Sequence, residues 1–448
     1  MPRFSSFFRA AGAALTVGLT LSGAHAQDVA MFGGDARHSG IQRTAAPRNL
    51  DVKWTFATSE AIVSSPAVAQ GVVYVGSSDN FLYALDAATG ALKWKFDAHG
   101  NVGSSPAVSG GLVFVNSADG NFYAVDATNG ALKWSFATQG ERRNTWPGVN
   151  GTAPRTETMP DPWDFFLSSP AVADGVVYFG SGDRHVYALD AATGALRWKF
   201  ETGGVVHASP AVADGRVYIG SFDGGFYALD TKTGALRWKF QADTSDAMHL
   251  MIGIPGSATV ADGAVYFGCR DANLYALDAA TGELRWKYSN HSSWVIATPV
   301  VVEGRVCFPT SDSLKFEVLD ARTGAPVFSL PTQLYSFSSP AVAEGRAYFG
   351  SCDGKVREVD LAARRYGAEF AAPGFAANAA RYLDANGKLR NDAVWIGETL
   401  DDTIVAIRTR LFSLGSILST PAIRDGVLYV GSVDGKLYAL GRADDTQR

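Results

Sequence analysis

Residues 168–200 read SSPAVADGVVYFGSGDRHVYALDAATGALRWKF, and the same pattern recurs along most of the chain. We use the proline of the SPAV tetrapeptide as the marker of each copy. In one copy an alanine takes its place. The marker residues are Pro66, Pro106, Pro170, Pro210, Ala258, Pro299, Pro340 and Pro421. Self-similarity with a period near 40 residues and frequent turn signals indicates a propeller or a repeat array.

Each copy reads as four short β-strands. SPAV is small and apolar, VVYFGS is a continuous apolar run typical of a strand covered on both faces, and HVYALD and ALRWKF alternate. Asp174-Gly175 is a hairpin signal, and Gly194 supplies positive φ for a longer hairpin turn. Charged residues such as Arg197 and Lys199 discourage edge pairing of the last strand with other chains. The repeat therefore predicts radially arranged four-stranded sheets, which is a β-propeller.

The two ends of the repeat region complement each other. The last copy stops after Leu440 without its outer W-x-F strand, whereas Val52–Phe56 is such a strand with no blade before it. The simplest arrangement lets this N-terminal strand complete the last blade. We therefore expect an all-β fold of eight four-stranded antiparallel blades, closed by the N-terminal strand, in a single domain over residues 27–448.

Residues 1–26 differ from the repeats. Arg3 and Arg9 flank the apolar run Ala10–Leu21, and Ala24-His25-Ala26 is a small-x-small cleavage site. This pattern predicts a secretory signal peptide, which is too short to span a membrane as a helix. We therefore expect a periplasmic or secreted protein. No cysteine follows the cleavage site, so no lipid anchor is expected.

Charge and cysteine content narrow the function. Removal of the signal peptide, with its two arginines, leaves 37 Lys and Arg against 44 Asp and Glu, a net charge of −7. Such an acidic protein is a poor candidate for binding nucleic acid or an anionic membrane. Cys269, Cys307 and Cys352 have no metal-ligand spacing, and their odd number predicts unpaired, mostly buried thiols.

The spacing of the markers reveals three insertions. Four intervals are 40 or 41 residues, and the other three are 64, 48 and 81 residues. The extra residues, about 137–167, 241–256 and 371–418, fall between the outer strand of one blade and the inner strand of the next. In a propeller these connections share one end with the turns after the second strands. We expect them to converge on one mouth of the central channel, the usual place for recognition.

Most candidate site residues lie in the first insertion or in other inter-blade connections. The candidates are Arg142, Arg143, Trp146, Asp161, Trp163, Asp164, His207, Arg270 and Trp294. Such arginine, aspartate and aromatic side chains at a channel mouth would bind an anionic or ring-shaped ligand. The alternative is a self-packed lid with internal Arg–Asp pairs. His207 and His291 lie near the starts of channel strands, where a satisfied structural histidine is the simpler interpretation.

The third insertion has two interpretations. Ala393–Gly397 resembles a second strand, and an interval of 81 residues is about twice the repeat, which would allow a ninth, eroded blade. In contrast, Thr399-x-x-Asp402 is an N-capping pattern followed by apolar residues at helical spacing as far as Phe412. Gly415 would end that helix. We predict a helical insertion and eight blades, with nine blades as the alternative.

Two other segments carry polar residues without a recognisable constellation. The turn-rich segment Met31–Gly40 contains Asp35 and His38, and we expect it to pack across one end of the propeller. The second insertion offers four polar or sulfur-containing side chains. These residues are Asp243, Asp246, Met248 and His249.

A recurring spacing identifies a resemblance to a known family. The pattern A-x-D-x-x-T-G-x-x-x-W occurs at Ala84–Trp94, Ala188–Trp198, Ala228–Trp238 and Ala276–Trp286, and with Asn129 in the Thr position at Ala124–Trp134. It resembles the tryptophan-docking motif of the PQQ-like (quinoprotein) propeller family, over nearly all of the chain after residue 26. The resemblance implies that each indole locks one blade to the next. Phe328 replaces the tryptophan in repeat six, and no Thr-Gly follows Asp360 in repeat seven, so weaker contacts are expected there.

One branch of this family consists of PQQ-dependent alcohol and sugar dehydrogenases. Membership would imply a Ca²⁺ held by carboxylate and amide oxygens, an aspartate base and, in many members, a disulfide between adjacent cysteines. On that branch Arg142, Arg143 or Arg270 would pair with quinone carboxylates, and Asp161 or Asp164 would be the base. The chain has no Cys-Cys pair and no matching metal-ligand set.

The other branch is not catalytic and is similar to the BamB-type outer-membrane assembly factor, which presents a face of inter-blade loops to its partners. This chain departs from it in lacking the lipobox cysteine. Fold alone does not choose between the branches. We favour an exported binding or assembly scaffold whose loop-rich face contacts an envelope protein or a small anionic or aromatic ligand. A soluble PQQ-dependent dehydrogenase, with PQQ and calcium, is the alternative.

Overall fold

Eight four-stranded antiparallel sheets form the blades of a β-propeller. The structure is a computed structural model that describes residues 28–147, 158–243, 253–291, 293–394 and 400–442. The predicted signal peptide lies outside these residues. We number the blades in chain order and name their strands inner, second, third and outer, starting from the central channel.

The first half of the chain contains blades one to four. Strand β1 spans Val52–Ala57. Blade one contains β2 (Ala67–Ala69), β3 (Val72–Gly76), β4 (Phe81–Asp86) and β5 (Leu92–Asp97). Blade two contains β6 (Ala107–Ser109), β7 (Leu112–Asn116), β8 (Asn121–Asp126) and β9 (Leu132–Ala137). A two-stranded sheet of β10 (Thr145–Pro147) and β11 (Thr158–Pro160) follows. Blade three contains β12 (Ala171–Ala173), β13 (Val176–Gly180), β14 (His185–Asp190) and β15 (Leu196–Glu201). Blade four contains β16 (Ala211–Ala213), β17 (Arg216–Gly220), β18 (Gly225–Asp230) and β19 (Leu236–Gln241).

The second half contains the remaining blades and three helices. Blade five contains β20 (Thr259–Ala261), β21 (Ala264–Gly268), β22 (Asn273–Asp278) and β23 (Leu284–Ser289). Blade six contains β24 (Val300–Val302), β25 (Arg305–Pro309), β26 (Lys315–Asp320) and β27 (Pro326–Pro331). Blade seven contains β28 (Ala341–Ala343), β29 (Arg346–Gly350), β30 (Lys355–Asp360) and β31 (Arg365–Ala371). The helices are α1 (Pro373–Tyr382), α2 (Asn391–Val394) and α3 (Leu400–Ser413). Blade eight contains β32 (Ala422–Arg424), β33 (Val427–Gly431) and β34 (Lys436–Leu440).

The N-terminal strand closes the ring, as the sequence predicts. Strand β1 pairs antiparallel with β34, with Thr55 opposite Tyr438, and so becomes the outer strand of blade eight. The third insertion is helical, and Ala393 and Val394, which the alternative placed in a ninth blade, lie in α2. The eight-bladed prediction is therefore confirmed, and the nine-bladed alternative is wrong.

The apolar core lies between neighbouring blades. Second strands are buried on both faces, as in Val176–Gly180, where every residue is buried. The cluster between blades one and two illustrates the packing, since Tyr74 and Leu82 of blade one meet Val113 and Tyr123 of blade two. A blade removed from the ring would expose both of its apolar faces.

Six tryptophans join an outer strand to the next blade. Each indole Nε1 donates to a backbone oxygen in the turn between the third and outer strands of that blade, at 2.9–3.2 Å. The indole also packs against a turn glycine, as Trp134 does against Gly194. Phe328 stands at the equivalent position of blade six, where its ring lies 5.7 Å from the guanidinium carbon of Arg364. Because phenylalanine has no N–H, this junction lacks the indole hydrogen bond.

A belt of hydroxyl groups surrounds the central channel. It contains one residue from the start of each inner strand: Ser65, Ser105, Ser169, Ser209, Ser257, Thr298, Ser339 and Thr420. At seven of the eight junctions a backbone N–H of one belt residue donates to the side-chain hydroxyl of the next, at 2.8–3.3 Å. Sequence analysis did not anticipate this role, although the second serine of the SSP triplet recurs in the copies.

The segment before β1 covers one end of the channel. Val29 pairs with Val68 of an inner strand, and the backbone N–H of Val212 donates to the oxygen of Ala36. Arg37 forms an ion pair at 3.0 Å with Asp214, in a turn between inner and second strands. We call residues 28–44 the leader and this end of the ring the leader face. The opposite end, with the inter-blade connections and the turns after the second strands, is the loop face.

His38 and Asp35 belong to this packing, as the sequence predicts. His38 is buried, and its Nδ1 lies 3.0 Å from the backbone oxygen of Ala258, to which it donates. Burial lowers the pKa of His38 to about 4, so the ring is neutral. Asp35 accepts hydrogen bonds from the backbone of Arg37 and Ser39 within the leader itself.

The cysteine prediction is confirmed. Cys269, Cys307 and Cys352 are all buried and free, and burial raises the pKa of each thiol, so they are protonated and unreactive at neutral pH. Among the helices in the described part of the chain, none combines the length and apolar character needed to cross a bilayer.

Substitution of two turn glycines in blade three will measure the contribution of an indole contact. Gly175 and Gly194 have φ of +73° and +74°, so replacing either with alanine should cost about 1–2 kcal/mol of unfolding free energy. A Cβ at Gly194 would also lie 2.7 Å from Trp134, whereas nothing lies within 4 Å of one at Gly175. We expect Gly194→Ala to lose a further 1–3 kcal/mol, roughly the cost of overpacking. Urea unfolding followed by fluorescence and circular dichroism will measure both, and equal losses would contradict a packing role for Trp134.

Candidate functional site

The first and third insertions meet on the loop face. Arg408 of α3 donates through Nη1 to the backbone oxygen of Pro162 at 3.1 Å, and the rings of Phe165 and Phe412 lie 6.1 Å apart. Trp163 packs 5.6 Å from Phe337, in the connection between blades six and seven. These contacts place the two insertions side by side over the mouth of the channel.

The described end of the second insertion reaches the same region. The backbone oxygen of Gly253 accepts hydrogen bonds from the N–H of Arg270 at 3.2 Å and from the thiol of Cys269 at 3.4 Å. Asp243, at the other end, donates its backbone N–H to the hydroxyl oxygen of Tyr275 at 3.5 Å. Asp246, Met248 and His249 lie outside the described residues.

His207 bridges two carboxylates of the first insertion. Its Nδ1 lies 2.6 Å from Oδ1 of Asp164, and its Nε2 lies 2.7 Å from Oε1 of Glu141. The insertion is thereby fixed to the residue that precedes the inner strand of blade four. Glu141 also accepts from the backbone N–H of Gly182 at 2.7 Å, and Asp164 accepts from that of Asn144 at 2.6 Å.

The electrostatics of this bridge favour a charged histidine. Burial alone would lower the pKa of His207, but the adjacent carboxylates of Asp164 and Glu141 raise it to about 10. Burial alone would raise the pKa of Asp164, but the charge and hydrogen bond of His207 hold it below its ordinary value. At neutral pH the bridge therefore holds an imidazolium between two carboxylates.

Arg270 makes a second buried attachment to the insertion. Its side chain is fully buried, and Nη1 donates to the carboxylate of Asp161. The guanidinium carbon lies 4.7 Å from the ring of Trp294 and 5.1 Å from that of Phe222, so the cation is held between two aromatic faces. Removal of either charge would leave its partner buried and unpaired, which makes this pair a strong positional constraint.

Arg142 and Arg143 differ from these residues in being exposed. They line a pocket of about 210 Å³ beneath the insertion, which we call the arginine pocket. Its walls also include Asn101, Phe165 and Phe166. In the described part of the chain neither arginine pairs with a carboxylate.

The predicted residues thus divide into two groups. Asp161, Trp163, Asp164, His207, Arg270 and Trp294 are brought together as internal contacts of the loop face, an arrangement similar to the self-packed lid. Arg142 and Arg143 face a pocket. Trp146 lies on β10, and its side chain is outside the described residues, while His291 is an exposed surface residue apart from this group.

Sequence reasoning missed Glu141 and Arg408. Glu141 adjoins Arg142 and Arg143, but nothing in its local pattern signals a partner 66 residues away. Arg408 reads as one polar position of an amphipathic helix, and only the packing of α3 on Pro162 brings it to the first insertion.

A comparison with protein-family models identifies the family of this chain. A family model described as outer membrane protein assembly factor BamB matches residues 46–156, 151–292 and 253–444. The chain belongs to this family of PQQ-like β-propellers. No curated protein matches the sequence.

Solved structures share the propeller fold. BamB from Moraxella catarrhalis is 17% identical with a TM-score of 0.60, covering 88% of this chain and 98% of its own. A europium-containing methanol dehydrogenase is 15% identical with a TM-score of 0.67, covering 93% and 98%. Quinohemoprotein alcohol dehydrogenase from Comamonas testosteroni is 15% identical with a TM-score of 0.67, covering 93% and 81%. At these identities the likeness concerns the fold, and it extends to both BamB and dehydrogenase structures.

The described residues of this PQQ-like propeller do not fit PQQ and calcium. Within the described ranges, no group of three or more His, Cys, Asp or Glu side chains is arranged to hold a metal ion. The mouth carboxylates Glu141, Asp161 and Asp164 are bonded to His207 or Arg270. Inside the belt of hydroxyls the cavity measures about 40 Å³, room for about three water molecules, which is too small for a fused three-ring quinone.

The His207 bridge predicts how firmly the first insertion is held at different pH. The pKa of about 10 exceeds the ordinary 6.5, so the bridge stabilises fully below about pH 6.5 and loses its effect as pH rises through 10. His207→Gln should weaken the attachment by about 3–5 kcal/mol, because it leaves a buried carboxylate without its cation. We expect smaller protection factors, which correct the exchange rate for the base-catalysed intrinsic rate at each pH, for residues 137–147 and 158–167 in the variant at pH 7, and in the parent above pH 10.

The exposed His99 offers the control. His99→Gln should leave hydrogen exchange of the insertion unchanged at both pH values. Slow exchange in His207→Gln at pH 7 would contradict the proposed attachment.

Proposed function

We propose that this protein is an exported PQQ-like propeller that acts as a binding or assembly scaffold through its loop face. In this proposal residues 1–26 direct export, and the rest of the chain works as a single domain in the periplasm or outside the cell. The proposal rests on the pairing of the carboxylates at the channel mouth. Glu141 and Asp164 pair with His207, and Asp161 pairs with Arg270. These ion pairs hold the first insertion in place and so produce a preorganised surface.

A preorganised loop face favours binding. Ordering of loops upon association reduces affinity, and loops already held by buried contacts avoid that cost. Here the first insertion is fixed at His207 and Arg270, and an aromatic cluster joins it to α3 and to the connection before blade seven. The rigid ring beneath supplies the scaffold on which such surfaces usually stand.

The same contacts argue against acid–base chemistry at the mouth. A general base needs a pKa near the working pH and a free lone pair within reach of a substrate. Asp164 has a lowered pKa and is buried against His207, and Asp161 is fully buried against Arg270. The description of the matching family as an assembly factor also supports a scaffold.

Site-specific photocrosslinking in envelope extracts tests the proposal. A photoreactive residue at Gln139 or Val405, exposed on the loop face, should yield defined adducts with an envelope protein. The same residue at Lys232, exposed in a turn on the leader face, is the matched control. Adducts that are equally frequent from both faces, or that form only from Lys232, would contradict the proposal.

Reconstitution with PQQ and Ca²⁺ tests the dehydrogenase alternative. We expect the purified protein to retain no quinone absorbance after gel filtration and to show no dye-linked oxidation of alcohols or sugars, because the described residues offer no metal-ligand set and the axial cavity is too small for the quinone. A PQQ-dependent dehydrogenase reconstituted in parallel is the positive control. Stoichiometric quinone with turnover would replace the scaffold proposal by the alternative.

A further inference from the structure

Two exposed arginines, Arg142 and Arg143, line the arginine pocket. A third, Arg408 of α3, does not line it but is held against the first insertion. The side chain of Arg408 donates to the backbone oxygen of Pro162 and lies over Phe412, 6.0 Å from the ring. Burial and the like charge of Arg143 hold the pKa of Arg408 below its ordinary value.

The nearby carboxylates do not neutralise these arginines. Glu141 and Asp164 flank His207 at 2.7 and 2.6 Å, and Asp161 pairs with Arg270. Among the described residues no carboxylate lies within ion-pair distance of Arg142, Arg143 or Arg408. Each of these carboxylates is thus already paired with a buried cation, and the charges of Arg142 and Arg143 remain at the pocket.

The pocket combines this charge with apolar walls. Phe165, Phe166 and Leu167 line it, and its volume of about 210 Å³ is below the roughly 300–1,000 Å³ of drug-sized ligand sites. Asn101 also lines it, with its amide nitrogen donating to Ser78 Oγ at 3.1 Å. Guanidinium groups pair with carboxylates in bidentate geometry, and the phenylalanine rings would cover an apolar body.

We propose that the arginine pocket binds a carboxylate carried on a small apolar or aromatic body. Arg142 and Arg143 pair with the carboxylate, and Phe165 and Phe166 cover the body. This inference rests on the proposed function and adds the chemical class that the loop face recognises. The carboxylate comes either from a free organic acid or from an acidic residue beside an aromatic one in a polypeptide.

Titration calorimetry with matched probes tests the pocket. The free-acid arm compares benzoate with benzamide, and the peptide arm compares acetyl-Phe-Asp-amide with acetyl-Phe-Asn-amide. We expect each acid to bind at least about tenfold more tightly than its neutral partner, with an affinity that falls as salt is added. Stronger benzoate binding would assign a free acid, and stronger peptide binding would assign a polypeptide.

Arginine variants connect the binding to the pocket. The double variant Arg142→Gln/Arg143→Gln should weaken acid binding at least about tenfold, since it removes the paired donors. Arg322→Gln, at an exposed turn residue on the leader face, is the matched control and should bind like the parent. Both arginines of the pair are exposed, and an unchanged melting temperature will show that the variant is folded.

The outcomes separate this inference from the proposed function. Equal affinity for acids and amides, or unaltered acid binding in the double variant, would overturn the pocket assignment. If loop-face crosslinking nevertheless persists, the scaffold proposal stands without it. If acids bind through the arginines while crosslinking shows no preference for the loop face, the assignment of the pocket is supported and the scaffold proposal is refuted.

Discussion

The pairing of β1 with β34 is the contact on which the rest of the structure depends. A row of like sheets has two open ends, each with an apolar blade face in water, and closure removes both ends at once. The cost of bringing the distant strands together grows only slowly with chain length. Once the ring is closed, every blade face has a neighbour, and the belt of hydroxyls is complete around the axis.

Closure also explains how the chain supports insertions of such different lengths. All of them leave from an outer strand and return at the next inner strand, and these two points are fixed by the ring. A longer connection therefore changes one end of the molecule without altering the blades. The loop face can vary in this way because the fold does not depend on it, and its order comes from its own buried ion pairs and aromatic contacts.

Much of the fold was readable from the sequence because its signals are local and repeated. The continuous apolar second strand, the Asp174-Gly175 turn and the unpartnered strand around Trp54 depend on neighbouring residues, and each was interpreted correctly. The third strand was predicted to alternate, but in blade three its residues 185–189 are all buried, because both of its faces are covered by neighbouring blades. The belt residue Ser169 also recurs in the repeat, as the second serine of the SSP triplet. Its bond to Ser209 of the next blade exists only after the blades have stacked, so its role could not be derived from the motif.

The site was less predictable because its partners come from non-repeated segments. Glu141, Asp164 and His207 lie far apart in sequence, and no periodicity links a loop carboxylate to a histidine beside an inner strand. Arg270 is different, because it departs from the repeat at a position that holds small or uncharged residues in the other blades. These residues are Ser78, Ala118, Gly182, Phe222, Ser311, Cys352 and Val433. A departure from an otherwise regular repeat was thus an available signal for the buried pair with Asp161, although the sequence analysis assigned Arg270 to a ligand.

Because the leader lies across one end of the ring, the central channel is open only at the loop face. The leader backbone is bonded to inner strands around the base, and Phe32 closes the floor of the narrow axial cavity. The leader therefore closes the channel at one end, so a ligand bound at the loop face must enter and leave from the loop face.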